Sequence, residues 1–329
     1  MDKKLVIAYL GFGRAILQYH LPYSRNMENV IIKYVYRRHE DRILDPEIEN
    51  DYPDLYITED IEEIKNDPEV NLVVIGTPDA THYPYAMMFL ELGKNVLIEK
   101  PISHSKKEAE EILAYAKEKG LIADVNQNRR FDGDFLTLKS VLEKGVLGDV
   151  LELESHYDYY RPNRDSSKPM YVYGMGVHTI DQMISLNGKP DRVVYDVRSM
   201  HNPGGCDDYF DIDFFYGRKK VTVKTSYYVK ISSPRFIVHG TKGSLILPQV
   251  GHISEGGQSA EVFGDLSYFD ENGVEHNEKV KMLDSNYGLL YENLFREIFD
   301  GQDKYIKDEE LLMVLDIMKE AVDCALAQQ

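Results

Sequence analysis

The chain has no tryptophan and only two cysteines, Cys206 and Cys324, among 329 residues. Two thiols give no disulfide framework. With no signal-like stretch at the N-terminus, the expectation is a reducing, cytoplasmic setting. No uninterrupted apolar run reaches spanning length, which argues against a membrane protein. Positive charge is also scarce: 38 Lys and Arg stand against 56 Asp and Glu, a formal net charge of −18. That balance argues against nucleic acid and anionic membrane surfaces as partners. No metal site is expected. The hydrophobic fraction, 43%, is ordinary for a globular protein and ample for a core. At this length two domains are the natural division.

Residues 1–123 alternate strand and helix. Apolar runs at Leu5–Leu10, Val30–Tyr36, Leu72–Ile75, Val96–Ile98 and Ile122–Val125 read as strands, with Leu55–Tyr56 as a short extra one. Asp60 with Glu63 and Ser105 with Glu108 have the spacing of capping boxes, and Gly93 and Gly120 stand where helices end. This alternation means βαβ units and a parallel sheet. Residues 124–329 read differently. A helix follows Arg129, and Val150–Tyr160 is a strand candidate. Tyr209–Tyr216 alternates strictly, the run from Val221 to Thr225 does the same, and Gly217-Arg218 between them predicts a hairpin. Arg235–His239 and Ser244–Leu247 flank a turn, and Asp270 to Gly273 is another. Ser254–Asp265 reads as a mobile loop, and Leu289–Phe299 and Glu309–Ala327 as closing helices. The expected fold class is therefore α/β: a Rossmann domain with a parallel sheet, then an α+β domain with a largely antiparallel open sheet.

Two motifs carry chemistry in the first half. Gly11-Phe12-Gly13-Arg14-Ala15-Ile16 follows the first strand and opens a helix, the arrangement that lets a backbone approach a pyrophosphate. The third small residue of G-x-G-x-x-G/A is missing, because Ile16 stands there. The second motif is Glu99-Lys100-Pro101 at the end of a buried strand, where open α/β sheets bind ligands. Pro101 biases Lys100 towards an extended backbone and so gives its ammonium a direction. The second strand ends in Arg37-Arg38 with no acid at its tip. An acid there would hold the ribose 2′-OH of NAD, whereas arginine accommodates the 2′-phosphate of NADP. Further on, His178 and Asp181 are three apart at a helix start, so the carboxylate can orient the imidazole.

Together, Gly11-Phe12-Gly13, Thr77-Pro78, Glu99-Lys100-Pro101, Asn128-Arg129-Arg130-Phe131-Asp132 and His178-x-x-Asp181 resemble the Gfo/Idh/MocA oxidoreductases. The resemblance spans essentially the whole chain. Asn128-Arg129-Arg130-Phe131-Asp132 and Tyr160-Arg161-Pro162 also resemble the branch containing NADP-dependent scyllo-inositol dehydrogenases. It implies a hydride transfer between a nicotinamide coenzyme and a secondary alcohol of a polyol or sugar. Lys100 would contact the nicotinamide ribose and the substrate hydroxyl, His178 would be the general acid/base, and Asp181 its support. Coenzyme contacts are expected of Gly11, Phe12, Gly13, Arg14, Ala15, Arg37, Arg38, Thr77, Pro78, His82, Glu99, Lys100 and Asn128. Lys100, Asn128, Arg129, Tyr160, Arg161 and His178 are expected to line the substrate. For Arg129 and Arg161 a structural ion pair between domains is an equal alternative. One departure stands out: many members have an aspartate four residues before the histidine, and here that position is Gly174.

NADP is expected as the preferred coenzyme, with NAD possible. The alternative class is a dinucleotide-binding sensor without turnover, which would predict loss of Lys100 or His178. Both are present. A homodimer or homotetramer is expected, since helices can cover one face of the second sheet and the other, with Phe215, Tyr227 and Tyr228 as candidates, would expose aromatic surface.

Overall fold

The structure, a computed structural model, describes residues 3–162, 171–201, 203–249 and 261–327. The chain divides into two compact units, Met1–Asn128 with Tyr287–Asp308, and Arg129–Asn286 with Glu309–Gln329. A single cut at 123/124 therefore misplaces the segment 287–308, which returns to the first unit.

The first unit runs β1 (Leu5–Leu10), α1 (Leu21–Ser24), β2 (Val30–Tyr36), α2 (His39–Leu44), β3 (Ile57–Thr58) and α3 (Ile61–Asn66). It continues with β4 (Leu72–Ile75), α4 (His82–Glu91), β5 (Asn95–Ile98), α5 (Lys106–Lys119) and β6 (Ala123–Val125). Its six strands pair in parallel in the order β3-β2-β1-β4-β5-β6. Every residue of β4 is buried, as in a parallel sheet covered on both faces. The strand order reverses between β1 and β4, so their carboxyl ends flank the crevice where such sheets take a ligand. A π-helical turn, Ile16–His20, leads into α1 and turns both Ile16 and His20 inwards. Asp60 caps α3 by accepting from the Glu62 amide at 2.9 Å, and Glu63 instead accepts from Thr58 Oγ1, so that end is capped without a box.

The second unit begins with α6 (Gly133–Glu143), β7 (Val150–His156) and α7 (Val177–Asn187). Then follow β8 (Arg192–Arg198), β9 (Tyr209–Tyr216), β10 (Lys219–Ser226), β11 (Phe236–Gly240), β12 (Gly243–Leu247), β13 (Phe263–Phe269) and β14 (Glu275–Lys281). α8 (Gly288–Asp300) crosses back to the first unit, and α9 (Asp308–Ala327) closes the chain. The eight strands lie in the order β14-β13-β12-β11-β7-β10-β9-β8, all antiparallel except β7 against β10. The hairpin turns on Gly217, whose φ of 57° a glycine adopts without strain. Of the expected loop Ser254–Asp265, residues 254–260 lie outside the described residues, and from Phe263 the chain is strand β13.

One face of this sheet is apolar: Phe210, Ile212, Phe214, Val221 and Val223 are fully buried there. The opposite face is mixed, with Phe215 of the expected aromatic residues standing among ion pairs. It carries Lys220 paired with Asp213 at 2.8 Å, Lys224 with Asp211 at 3.3 Å and His156 with Glu154 at 2.8 Å. Tyr227 is buried and stacked on Tyr171 at 3.9 Å, and the Arg192 guanidinium lies over Phe215 at 3.9 Å.

Candidate coenzyme and active site

The glycine turn has the form that a dinucleotide needs. Gly11 has φ of 97°, and a Cβ there would stand 2.8 Å from the Gly76 carbonyl oxygen. At Gly13 a Cβ would meet nothing within 4 Å, so the backbone has open space over it for a phosphate to approach. The missing small residue is compensated from the other side. Ile16 is buried, and a Cβ on Gly76, just after β4, would meet its Cδ1 at 2.6 Å. The helix packs closely because the glycine has moved to the strand it packs against. Phe12 is buried with its ring edge-on to Tyr52, a partner not foreseen, at 5.2 Å. Arg14 is exposed and donates to Gln18 at 2.8 Å, and Ala15 is half-buried.

The two arginines after β2 separate. Arg37 is buried and donates to Glu49 Oε1 at 2.9 Å and to the carbonyl oxygens of Asp41 and Asp45. Its donors stitch the α2 segment together, which corrects its reading as a 2′-phosphate ligand. Arg38 is exposed and gives two of its five N–H donors to Asp41, at 2.8 and 2.9 Å.

Lys100 is half-buried just past β5, and the Lys100–Pro101 peptide is cis. Glu99 and His82, both expected at the coenzyme, have partners inside the first unit. Glu99 Oε1 accepts from His20 Nε2 at 2.8 Å and Asn126 Nδ2 at 2.5 Å. Burial alone would raise the Glu99 carboxyl, but the His20 and Asn126 hydrogen bonds and the Lys100 charge outweigh it and hold it below its ordinary value. His82, fully buried, sets Nδ1 against the Pro101 carbonyl oxygen at 2.9 Å and Nε2 against that of Thr77 at 3.0 Å. Thr77 is half-buried with Oγ1 2.7 Å from Thr81 Oγ1, and Pro78 is exposed. Asn128, which closes the unit, is buried.

In the second unit His178 is buried in the first turn of α7. Asp181 does not orient it as expected. Both its oxygens accept from Arg130, at 2.6 and 2.7 Å, and Arg130 also donates to Glu310 at 2.8 Å. Burial would lower the Arg130 pKa, but the Asp181 and Glu310 carboxylates outweigh it and raise it. A fully buried guanidinium needs such partners, and Asp181 is the nearest supply. A residue missed by sequence reasoning, Asp207, holds the start of the π-helical turn Val172–Gly176 that leads into α7, accepting from the Tyr171 and Val172 amides at 2.7 and 2.8 Å. A Cβ on Gly174 would meet nothing within 4 Å, so no clash at that atom requires glycine where the resemblance expects an aspartate. Arg129 is paired with Asp132 at 3.1 Å inside its own unit. Tyr160 is exposed and bridges to Tyr228, and Arg161 lies over the Tyr159 ring at 4.6 Å.

Fold and glycine turn define a dinucleotide-binding oxidoreductase. The family model for the oxidoreductase family with an NAD-binding Rossmann fold matches residues 5–127, and that for the GFO/IDH/MocA C-terminal domain matches residues 135–246. The chain belongs to the Gfo/Idh/MocA family. It is 41% identical to the oxidoreductase YhhX of Escherichia coli over 97% of this chain and 96% of that protein. It is 27% identical to the NADP-linked scyllo-inositol 2-dehydrogenase IolW of Bacillus subtilis over 96% and 92%. Among solved structures, YhhX superposes with a TM-score of 0.90 at 40% identity, covering 97% of this chain and 96% of that one. An oxidoreductase from Bacillus cereus gives 0.89 at 36% identity over the same shares. Among the described residues no helix is long and apolar enough to cross a membrane.

Proposed function

We propose that this oxidoreductase interconverts a secondary alcohol of a polyol or sugar, inositol-like in its run of hydroxyls, with the ketone, using NADP in preference to NAD. The observation that carries the reading is Lys100, an ammonium on a braced segment at the carboxyl end of β5, on the same sheet edge as the open glycine turn. When bound, the coenzyme supplies the hydride acceptor or donor. Gly11 and Gly13 hold its pyrophosphate, and Thr77 and Pro78 border it. Lys100 stabilises the oxygen that gains negative charge, an electrostatic task that grows as water is excluded. His178 takes the hydroxyl proton, its natural range lying near working pH. Asn128, Arg129, Tyr160 and Arg161 supply hydrogen bonds to a polyol. The similarity to IolW, a scyllo-inositol 2-dehydrogenase that uses NADP, supports both the substrate class and NADP.

The test is coenzyme reduction with a panel of inositols, aldoses and sugar acids, run on the parent and on Lys100→Ala. One polyol should be turned over, and Lys100→Ala should lose on the order of 10²-fold or more in kcat while melting like the parent. Turnover within a few-fold of the parent would remove Lys100 from the reaction.

A further inference from the structure

Two buried histidines flank Lys100 from opposite sides, and nothing in the proposed chemistry uses either. His20 is fully buried, and its Nε2 reaches the Glu99 carboxylate. Its Nδ1 lies 2.6 Å from Tyr291 Oη, which lies 3.0 Å from Tyr9 Oη, itself 2.6 Å from Ser24 Oγ. Tyr291, Tyr9 and Ser24 are fully buried as well. With Nε2–H donating to the Glu99 carboxylate, Nδ1 of a neutral imidazole accepts from Tyr291 O–H, which closes the chain. His82 sets its two ring nitrogens against the Pro101 and Thr77 carbonyl oxygens, and with both nitrogens protonated it donates to each and ties the segment after β5 to the segment after β4.

We propose that His20 and His82 are positioning residues that brace the Glu99–Pro101 segment from both ends and so aim the Lys100 ammonium, with Tyr291 backing His20. A lysine has four rotatable bonds, and its direction is only as well defined as the backbone that carries it. A buried polar chain whose members all have partners rigidifies the element it ends on. Glu99 and Pro101 are the immediate neighbours of Lys100, so fixing the side chain of one and the carbonyl of the other leaves its Cα little freedom. Tyr291 comes from α8, which gives the return of residues 287–308 to the first unit a reason beyond apolar packing. The inference rests on the reading of Lys100 as the group that meets the reacting oxygen.

The experiment compares His20→Leu, His20→Gln, His82→Leu and Tyr291→Phe with the parent and with Lys100→Ala. It reads kcat and KM, and also the rate at which an amine reagent labels Lys100 in the coenzyme-free protein, quantified on the Lys100 peptide by mass spectrometry. His20→Leu and His82→Leu should each lower kcat on the order of ten-fold or more, since small misplacements of a reacting group are costly. The KM for coenzyme should move less, and the labelling rate of Lys100 should change several-fold. His20→Gln, whose amide can still donate to Glu99, should recover most of the loss. If the leucine variants fail to fold, Tyr291→Phe removes a single hydroxyl and should give the same pattern at smaller amplitude. Folded variants with parent kcat and parent labelling would overturn the brace. If Lys100→Ala keeps parent turnover while the variants still alter Lys100 labelling, the brace stands and the catalytic reading of Lys100 falls.

Discussion

At the scale of single residues, neighbours in sequence took different tasks. Arg37 and Arg38 read as a cationic pair, yet Arg37 is inside and satisfied while Arg38 is outside. The proposed preference for NADP therefore rests on Arg38. Charge-assisted hydrogen bonds contribute roughly 1.5–3 kcal/mol each, so Arg38→Ala should raise the KM for NADP about ten-fold or more and leave that for NAD nearly unchanged. Steady-state kinetics with both coenzymes decide it, and a parent indifferent to the 2′-phosphate would remove the premise. Arg37→Ala should instead lower stability, because it takes the buried donor from Glu49 Oε1 and from the Asp45 carbonyl oxygen, while Arg42 still holds Glu49 Oε2. Asp181 teaches the same lesson. Its spacing from His178 was visible, but spacing does not say which of two cations a carboxylate meets, and Arg130, 51 residues away in sequence, holds it.

Between elements, two packing solutions carry predictions. The first is the exchange of small and large residues between Ile16 and Gly76. Gly76→Ala places a methyl group against Ile16 and should cost about 1–3 kcal/mol by overpacking. Adding Ile16→Ala, which restores the usual small residue, should recover part of that loss, and denaturant unfolding of the two single and one double variant measures the coupling. Additive losses would mean the contact is not what sets the spacing. The second is the docking of α8. Glu297 accepts from the Tyr305 amide at 2.7 Å, with Asp124, Lys304 and Asp308 beside it. Burial, then the Asp124 charge, pushes its carboxyl up to about 7 from an ordinary 4.5. Between those values the unfolded chain releases a proton that the folded chain keeps, so this group's contribution to stability falls as pH rises from about 4.5 to about 7 and stays lost above. Glu297→Gln should therefore melt above the parent at pH 8, with the gap closing towards pH 5. A gap independent of pH would mean that Glu297 does not titrate there.

For the whole molecule, the expected assembly is a homodimer or homotetramer. The polar face of the second sheet carries ion pairs between Lys220, Lys224, Asp211 and Asp213 beside Phe215, so of the aromatic side chains expected there Tyr227 is the one buried elsewhere. Association through such a face should weaken with salt, because screening acts on charges that water can still reach. Light scattering at micromolar concentration, at low and at high salt, should show an oligomer whose stability falls with ionic strength. A monomer at both would refute the expectation.

The sequence by itself determined the elements and the class. Its periodicities placed β1, β2, β4 and β9 at their observed limits, and the glycine turn and Glu99-Lys100-Pro101 located the ligand edge of the first sheet. These are local signals: strand alternation, turn chemistry and chain ends follow from a few neighbouring residues. Only the tertiary structure decided which partner each buried polar group meets. The inward turn of Glu99 to His20, the bridge of His82, the return of Tyr291 and the pairing of Asp181 with Arg130 all join residues from distant parts of the chain. A donor buried away from water must find an acceptor in the space around it, and that space is set by the whole fold, not by the neighbouring sequence.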